Sequence, residues 1–332
     1  MDDDRILPAH GGGGALMREL LDAVIAPALG NAEATLADAA PVPGVEDVLV
    51  TTDSFVVKPL FFHGGDIGSL SVYGAVNDLA VAGAKPLAVT LSVIAEEGLP
   101  IGVLRRVVQS AADAARKCGV AVVAGDTKVV GRGEADELFV TTAGIGKRVL
   151  DVDPRRLRDG DGILVSGSIG EHGIAVMSLR EGIAFDTHIQ SDAASVWPLV
   201  AALRDAGIDV HAMRDPTRGG VAAACVELAD ASNVSIRLEE TGIPVRPDVR
   251  LACEMLGLDP LTVANEGKLI ASVAEADVSR AVDCLRKIPG GENASVMGRV
   301  MRRGAMAVSL RTRYGGERVV EMPYGEELPR IC

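Results

Sequence analysis

The chain has 332 residues and a formal net charge of -13, from 33 basic and 46 acidic side chains. This length suits two domains of roughly 150 residues each, and the negative charge argues against binding to nucleic acid or to an anionic membrane surface. Apolar residues make up 48% of the chain and aromatic residues only 3%, so Val, Ala, Leu and Ile must form most of the core. That composition is typical of a soluble α/β enzyme.

The first and last residues and the cysteines give further evidence on the class of protein. The first ten residues, MDDDRILPAH, are acidic where a secretory signal is basic, and there is no run of 18 apolar residues. We therefore expect a cytoplasmic protein. Its five cysteines form no C-x-x-C pair, which argues against a disulfide framework and a zinc site. Four lie in apolar stretches and are interpreted as inert buried thiols, but Cys332, in the final PRIC, lacks such surroundings.

Hydrophobic periodicity predicts an N-terminal α/β domain over residues 1–150. A helix is predicted over residues 15–29, after the glycine run HGGGG. From residue 47 onward the pattern predicts the strand VLVTTD, the helix GSLSVYGAVNDLAVAGA, the strand PLAVTLSVI, the helix LRRVVQSAADAARKCG and the strands VAVVAGD and ELFVTTAGIG.

A second α/β domain is predicted over residues 151–310. Charged and turn residues in KRVLDVDPRRLRDGDG mark the boundary near residue 150. The pattern then predicts the strand ILVSGSIG, the helices SVWPLVAALRDAG, PTRGGVAAACVELADAS and AVDCLRKI, and the strands KLIASVA and SVMGRVMRR. Periodicity disappears after residue 310, so residues 311–332 are predicted to form a tail whose final dozen residues are mobile.

The glycine run is the first candidate for a functional site. It consists of His10, Gly11, Gly12, Gly13 and Gly14. Four successive glycines allow backbone N–H groups to converge on an anion ahead of a helix. The run lacks the Lys-Ser/Thr of a Walker loop and follows no strand, so neither common nucleotide motif applies. Taken alone, a flexible hinge is about twice as frequent an explanation as a phosphate cradle, and both stay open.

Four aspartates lie where α/β folds gather ligands. Asp53 and Asp126 each follow an apolar strand. Asp78, next to Asn77, lies in an apolar predicted helix, where an unpaired carboxylate is costly. Asp215 precedes a helix that it suits as a cap, and each of the four has an ordinary explanation by itself. With no His or Cys beside them, the set favours Mg²⁺ or Mn²⁺ bridging to phosphate.

Other polar residues become candidates for the same site because of these four aspartates. Arg218 and Gly219, in DPTRGG, would supply a guanidinium and open backbone amides to the same phosphates. Lys128, in GDTKVV, and Glu266, in ANEGKLI, are ordinary surface charges when judged alone. His172, in IGEHG, is interpreted as a loop histidine.

Together these motifs resemble the ATP-binding superfamily of aminoimidazole ribonucleotide synthase, selenophosphate synthetase and thiamine-monophosphate kinase. The resemblance covers nearly the whole chain and is carried by TTDS, NDLAVAGAKP, GDTKV, DPTRGG and NEG. HGGGG together with PRIC is similar to the HypE family of hydrogenase maturation carbamoyl dehydratases. This resemblance implies a two-domain α/β (α+β) fold like that of aminoimidazole ribonucleotide synthase. It also implies a mixed N-terminal sheet that forms a homodimer, with ATP and Mg²⁺ held between the dimer partner and the cleft.

The same resemblance implies roles for the matched residues. Metal and phosphate ligation is expected of Asp53, Asp78, Asp126 and Asp215. Nucleotide binding is expected of His10, Gly11, Gly12, Gly13, Gly14, Asn77, Thr217, Arg218 and Gly219. Glu266 and Lys128 are the implied base and its positioning lysine. Cys332 is expected to receive a carbamoyl group from HypF, a carbamoyltransferase. ATP-driven dehydration then gives a thiocyanate, whose cyano group passes to iron on the HypC–HypD complex for [NiFe]-hydrogenase.

Two other kinds of function stay open. A selenophosphate synthetase would carry a reactive Cys or selenocysteine near the glycine run, which this sequence lacks, and the purine and thiamine enzymes have no use for a thiol at residue 332. A non-catalytic thiol carrier would explain Cys332 without the four aspartates. Because all four are present, we favour the ATP-dependent dehydratase.

Overall fold

Two sheets organise the chain, one built from residues 40–148 and the other from residues 162–319. The structure is a computed structural model, and it describes residues 5–29, 37–182, 189–325 and 330–332. Within these ranges no helix is both long and apolar enough to cross a membrane.

The first sheet is mixed and, in the described residues, has five strands in the order β1-β2-β7-β5-β6. The strands up to residue 148 are β1 Ala40–Pro41, β2 Val48–Phe55, β3 Phe61–Phe62, β4 Gly65–Asp66, β5 Ala84–Glu96, β6 Ala121–Val130 and β7 Leu138–Arg148. β5 and β6 run parallel and the other pairs run antiparallel. β3 and β4 form a separate short hairpin.

Two helices, α3 Ile67–Val81 and α4 Ile101–Cys118, pack against this sheet. They are preceded in the chain by α1 Ala15–Leu20, a π-helical stretch Leu21–Ile25 and α2 Ala26–Leu29. α3 packs against β2, β5, β7 and α4, which its small apolar residues allow. The Asp66 side chain caps α3 by accepting hydrogen bonds from the N–H groups of Gly68 and Ser69.

The second sheet has the order β14-β13-β10-β12-β8-β11-β9 in the described residues. Its strands are β8 Gly162–Val165, β9 Val210–Arg214, β10 Val234–Glu239, β11 Ile270–Val273, β12 Ser295–Arg302, β13 Val308–Arg311 and β14 Glu317–Val319. The helices of this half are α5 Glu171–Arg180, α6 Trp197–Asp205, α7 Gly220–Ala231, α8 Pro247–Leu256 and α9 Val278–Leu285.

The predicted α/β class and the mixed N-terminal sheet are confirmed, and each predicted helix and strand is present. Periodicity missed several elements, among them α5, α8, β9, β10, β13 and β14. The prediction that regular structure ends after residue 310 is wrong for Glu317–Val319, since β14 pairs antiparallel with β13. β14 is three residues long and exposed, so it shows no alternation of apolar and polar residues.

One apolar cluster joins the two halves. Phe55 and Leu138 of the first sheet belong to it, together with Ile174 on α5 and Val249 on α8. Ile331, near the end of the sequence, belongs to the same cluster. This shared core holds the two halves side by side.

β6 differs from the other long strands because it is exposed along almost its entire length. Among the described strands it pairs with β5 alone, at the edge of the sheet. Its exposed residues include Val122, Val123 and Val129, the last with 70% of its surface accessible. An apolar edge strand of ten residues is a template for pairing with another chain.

Candidate active site

Three carboxylates converge in a cavity of about 610 Å³ between the two halves. Asp38, Asp78 and Asp215 each place one ligand atom so that the three atoms lie within 4.8 Å of one another. Asp38 precedes β1, Asp78 lies on α3, and Asp215 directly follows β9, so both halves contribute to this acid cluster. Thr51 donates a hydrogen bond of 2.7 Å to Asp78 Oδ2 and fixes its orientation.

Burial and mutual repulsion raise the pKa of all three carboxyl groups. Burial is the first cause in each case, and neighbouring acids add to it. The pKa rises to about 6 for Asp38 and to about 8 for Asp215, and that of Asp78 rises well above its usual value. Arg214 lies 3.3 Å from Asp38 and offsets part of the repulsion. An all-oxygen set with excess negative charge fits a hard divalent cation such as Mg²⁺.

Asp53 lines the same cavity from β2. Its Oδ1 accepts a hydrogen bond of 2.8 Å from the N–H of Ser54. Burial raises its pKa, and the Arg218 guanidinium partly counteracts this. Three of the four predicted metal ligands, Asp53, Asp78 and Asp215, therefore line one cavity, and Asp38 joins them.

The cavity wall also includes Glu266, Arg218, Thr217 and Cys332. Glu266 is 2% exposed, and its Oε1 has no hydrogen-bond partner among the described residues. Burial, followed by the charge of Asp215, raises the Glu266 pKa well above its usual value. Burial likewise raises the pKa of the Cys332 thiol, and the charge of Cys332 is the first cause that raises the pKa of Arg218. A thiol, a carboxyl group and a guanidinium thus share one buried space.

Hydrogen bonds to two side chains, Asn77 and Asp192, fix the turn that carries Glu266. Asn77 Nδ2 donates to the Glu266 carbonyl at 3.0 Å, and Asn77 Oδ1 accepts from Val196 N–H at 2.8 Å. The Asp192 carboxylate accepts from the N–H groups of Glu266 and Gly267, at 3.1 and 3.2 Å. Asn77 was predicted to bind nucleotide, but the structure buries its amide among backbone groups and makes it a support for Glu266.

The glycine run packs closely against other backbone segments. Gly13 and Gly14 line the cavity. Gly13 has a φ of +74°, and a Cβ at Gly14 would collide with the carbonyl of Pro323. The same carbonyl accepts a hydrogen bond of 2.9 Å from Ala15 N–H. Close packing thus accounts for these two glycines without a bound anion.

The rest of the run and its neighbour Gly219 lie outside that cavity. His10 is buried, and its Nδ1 accepts a hydrogen bond of 2.9 Å from Leu7 N–H. The Gly11 carbonyl accepts one of 2.8 Å from Arg218. Gly12 and Gly219 line a smaller cavity of about 20 Å³.

Asp126 and Lys128 are not brought to the acid cluster within one chain. Both lie exposed on β6 and form an ion pair of 2.7 Å with each other. Asp126 is in register with Ser92 of β5, and β7 lies between β5 and β2. Three strand spacings place it about 14 Å from β2, which carries Asp53.

The end of the sequence is docked in the cleft. The N–H of Val56 donates to the Cys332 carbonyl oxygen at 3.1 Å, and Ile331 is 2% exposed. The predicted mobility of the final dozen residues is therefore wrong for residues 330–332.

Sequence reasoning missed several residues of the site. Asp38 belongs to no recognised motif, and only the tertiary fold brings it to Asp78. Arg214 also pairs with Glu227, and its position immediately before Asp215 was the available signal. Asp192 lies in a segment without periodicity, and the sequence gave no signal for it.

Comparison with known proteins agrees with this geometry. Family models described as AIR synthase related protein match both halves, the N-terminal domain over residues 36–148 and the C-terminal domain over residues 158–311. Carbamoyl dehydratase HypE of Cupriavidus necator is 47% identical and covers 99% of this chain and 95% of the relative. Carbamoyl dehydratase HypE of Escherichia coli (strain K12) is 42% identical and covers 98% of each.

Two solved structures are similar over nearly the whole chain. A crystal structure of a HypE–HypF complex matches with a TM-score of 0.87 at 43% identity, covering 92% of this chain and 99% of that chain. A crystal structure of HypE in complex with ATP matches with a TM-score of 0.84 at 43% identity, covering 97% of this chain and 98% of that chain.

The fold is thus that of AIR synthase related proteins. Within that group, the chain belongs to the HypE family of carbamoyl dehydratases. The resemblance that HGGGG and PRIC indicated is confirmed.

Proposed function

We propose that this chain uses ATP to dehydrate a carbamoyl group carried on its own Cys332, which gives a thiocyanate. The observation that supports this most is the shared cavity, where the Cys332 thiol, the Glu266 carboxyl group and the acid cluster meet. A relative of 43% identity has been crystallised with ATP, which supports ATP as the nucleotide.

The reaction balances in two steps. First, the carbamoyl oxygen attacks the γ-phosphorus of ATP, so that an O–P bond forms, the bond to ADP breaks, and the nitrogen loses one proton. Then the C–O bond breaks, phosphate leaves with the electron pair, and the nitrogen loses its second proton as the C≡N bond forms. The oxygen of the lost water ends in phosphate. Without phosphorylation an amide oxygen would be a poor leaving group.

Glu266 is the proposed base for the nitrogen protons. Burial raises its pKa well above the usual value, so that the ionised carboxylate would be a stronger base than an exposed one. Asn77 and Asp192 hold its turn in place, so the carboxyl group needs little reorganisation before it accepts a proton.

Asp38, Asp53, Asp78 and Asp215 would hold Mg²⁺ and, through it, the phosphates. Bound there, the ion would neutralise charge on the transferring phosphoryl group. Arg218 borders the same space and would stabilise the departing phosphate. In this proposal residues 311–332 are the arm that carries the reacting sulfur.

We also propose that the protein is a homodimer joined through β6. The strand is exposed, apolar and at the sheet edge, and its Asp126 and Lys128 lie too far from their own acid cluster to act there. A second copy that pairs at this edge would bring Asp126 and Lys128 to its own acid cluster. In this way Asp126 would serve as a phosphate or metal ligand, and Lys128 would position the base, of the partner's site.

HypF and the HypC–HypD complex are the proposed partners. A relative has been crystallised as a HypE–HypF complex, which supports a carbamoyltransferase of this kind as the source of the carbamoyl group. The thiocyanate would then deliver its cyano group to iron on the HypC–HypD complex, for [NiFe]-hydrogenase.

Intact-mass spectrometry tests the central step. Protein carbamoylated on Cys332 should lose the mass of one water when Mg²⁺ and ATP are added, with one ADP formed per chain. Cys332→Ser should abolish carbamoylation and leave ATP binding intact. Glu266→Gln should accept the carbamoyl group and retain it unchanged. An adduct that persists in the unmodified chain, or a carbamoyl group found on Cys118 or Cys225, would contradict the proposal.

A further inference from the structure

Lys268 is a buried lysine that the proposed function does not use. It lies two residues after Glu266 and two residues before the start of β11. Only 10% of its side chain is exposed, and a lysine is rarely this buried unless it is paired. A Cβ at Gly167 would lie 3.2 Å from Lys268 Cε, so the backbone of Gly167 confines the path of the side chain. The position of the ammonium group is therefore closely defined.

This ammonium group bridges two carboxylates from different segments. Lys268 Nζ donates a hydrogen bond of 3.0 Å to Asp192 Oδ2 and lies 3.4 Å from Oε2 of Glu171, the first residue of α5. The Asp192 side chain is 3% exposed. Burial acts to raise the Asp192 pKa, but the charge of Lys268 is the first cause that opposes it, and the pKa lies below its usual value. Asp192 is thus ionised, and its charge depends on Lys268.

Asp192 uses both of its carboxylate oxygens at the turn of Glu266. Oδ1 accepts a hydrogen bond from Glu266 N–H, and Oδ2 accepts from both Gly267 N–H and Lys268. A Cβ at Gly267 would collide with the Asp192 carbonyl oxygen, so the two segments touch and only glycine fits there. An ionised carboxylate accepts at both oxygens, whereas protonation turns part of that capacity into a donor. Lys268 is therefore connected to the backbone of the proposed base through one residue.

The segment that carries Asp192 is itself fixed. Ser191 N–H donates to the His63 carbonyl at 2.7 Å, and Ser191 Oγ lies 2.8 Å from His172 Nδ1. His172, which we predicted to lie in a loop, is a buried residue of α5. Since α5 also carries Glu171, one helix supports both the Asp192 segment and the second carboxylate beside Lys268.

We propose that Lys268 is a positioning residue for the dehydration: its ammonium group pairs with Asp192 and holds both Asp192 oxygens on the backbone of Glu266 and Gly267. Glu266 belongs to the described residues that line the cavity of about 610 Å³, and Lys268 does not. Lys268 therefore acts through Asp192 and not on the reacting atoms. Its role in dehydration rests on the proposed function, in which Glu266 is the base, whereas its support of the turn does not.

Exchange of backbone amide hydrogens for deuterium, located by mass spectrometry with electron-transfer fragmentation of the full chain, tests the support. In Lys268→Met, the Glu266 and Gly267 amides should exchange at least about tenfold faster relative to the Ile236 amide, because an unpaired buried Asp192 no longer holds the turn. Ile236 N–H donates to the Ala307 carbonyl at 2.8 Å in the second sheet, and it corrects for any general loss of stability.

Two further variants complete the exchange experiment. Lys268→Arg keeps the positive charge and should restore part of the protection of the Glu266 amide. Lys287→Met, at an exposed position, is the matched control and should exchange as the unmodified chain does. A ratio to the Ile236 amide that is the same in Lys268→Met as in the unmodified chain overturns the proposal.

A double-mutant cycle tests whether Lys268 acts through Asp192. The measurement is the single-turnover dehydration rate of protein carbamoylated on Cys332. Lys268→Met should slow it at least about tenfold while the half-saturating ATP concentration changes less than about twofold, because only the positioning of the base is lost. Lys268→Met combined with Asp192→Asn should be slowed by less than the product of the two single effects, since the buried charge is then removed with its partner. Independent effects, or an unchanged rate in Lys268→Met, overturn the positioning role.

The two measurements separate this proposal from the proposed function. Amide exchange needs neither ATP nor a carbamoyl group, so it decides the support of the turn by itself. An unmodified chain that never loses water from its carbamoyl group contradicts the proposed function. An unmodified chain that dehydrates, with Lys268→Met equally fast, contradicts the positioning role alone.

Discussion

The acid cluster and the acid–lysine pair on β6 differ in burial, although the sequence analysis placed Asp78, Asp215 and Asp126 in one set of metal ligands. Asp78 and Asp215 are surrounded by other acids, and burial raises the pKa of each. Asp126 is exposed, and the hydrogen bond from Lys128 lowers its pKa. The acid cluster carries excess negative charge and suits a cation, whereas the Asp126 carboxylate is already paired with Lys128 and faces outward. The difference supports the proposal that Asp126 and Lys128 serve the site of a second copy of the chain.

Loss of a cluster carboxylate should have the largest effect. Asp215→Asn replaces one of the three converging carboxylates by a neutral amide, and we expect single-turnover dehydration to slow by at least about 100-fold. The measurement is the mass of the Cys332 adduct over time after Mg²⁺ and ATP are added. Asp209→Asn, at an exposed acid before β9, is the matched control. Equal rates in the two variants would contradict a role for the cluster.

A mixing experiment tests whether the β6 pair serves the partner. Asp215→Asn and Lys128→Ala should each be defective alone. If Lys128 acts across the dimer, a mixed dimer has one site with both residues intact, and random mixing should restore about a quarter of the unmodified activity. If Lys128 acts within its own chain, no mixture recovers. Mixing each variant with itself gives the baseline.

A positive charge on β6 should separate the two chains of the proposed homodimer. Val129→Lys places a cation on the exposed edge, a device that blocks strand pairing. We expect light scattering to show a shift from dimer to monomer, together with a several-fold loss of dehydration. Val45→Lys is the control, since Val45 is also exposed and lies in the turn before β2. A monomeric unmodified chain would contradict the proposed interface.

Proton release on Mg²⁺ binding should be the smallest effect. With a pKa of about 8, Asp215 is largely protonated at pH 7, and a metal that needs the carboxylate must displace that proton. Calorimetry in two buffers of different ionisation enthalpy should detect the release at pH 7 and its decline by pH 9. Asp215→Asn should reduce it. Asp126→Asn should not, because the lowered pKa of Asp126 leaves it ionised.

The sequence predicted the long elements because they alternate or repeat clearly, and it missed short strands such as β14 because three exposed residues carry no period. The motifs located Asp53, Asp78, Asp215 and Glu266, which lie in one cavity. Asp38 could not be found, because only the fold brings it near. Asn77 was misread for a physical reason: a polar side chain in an apolar helix can serve a ligand or buried backbone groups, and the sequence does not distinguish them.

Helix α3 links the turn that carries Glu266 to the acid cluster. Its adjacent residues Asn77 and Asp78 point in different directions, one to the turn of Glu266 in the second half and the other to the acid cluster. A helix is stiff over two neighbouring residues, so a tilt between the halves would displace the proton acceptor and the cation ligands together. A change in the angle between the halves would therefore alter the position of the proposed base and the geometry of the acid cluster at the same time.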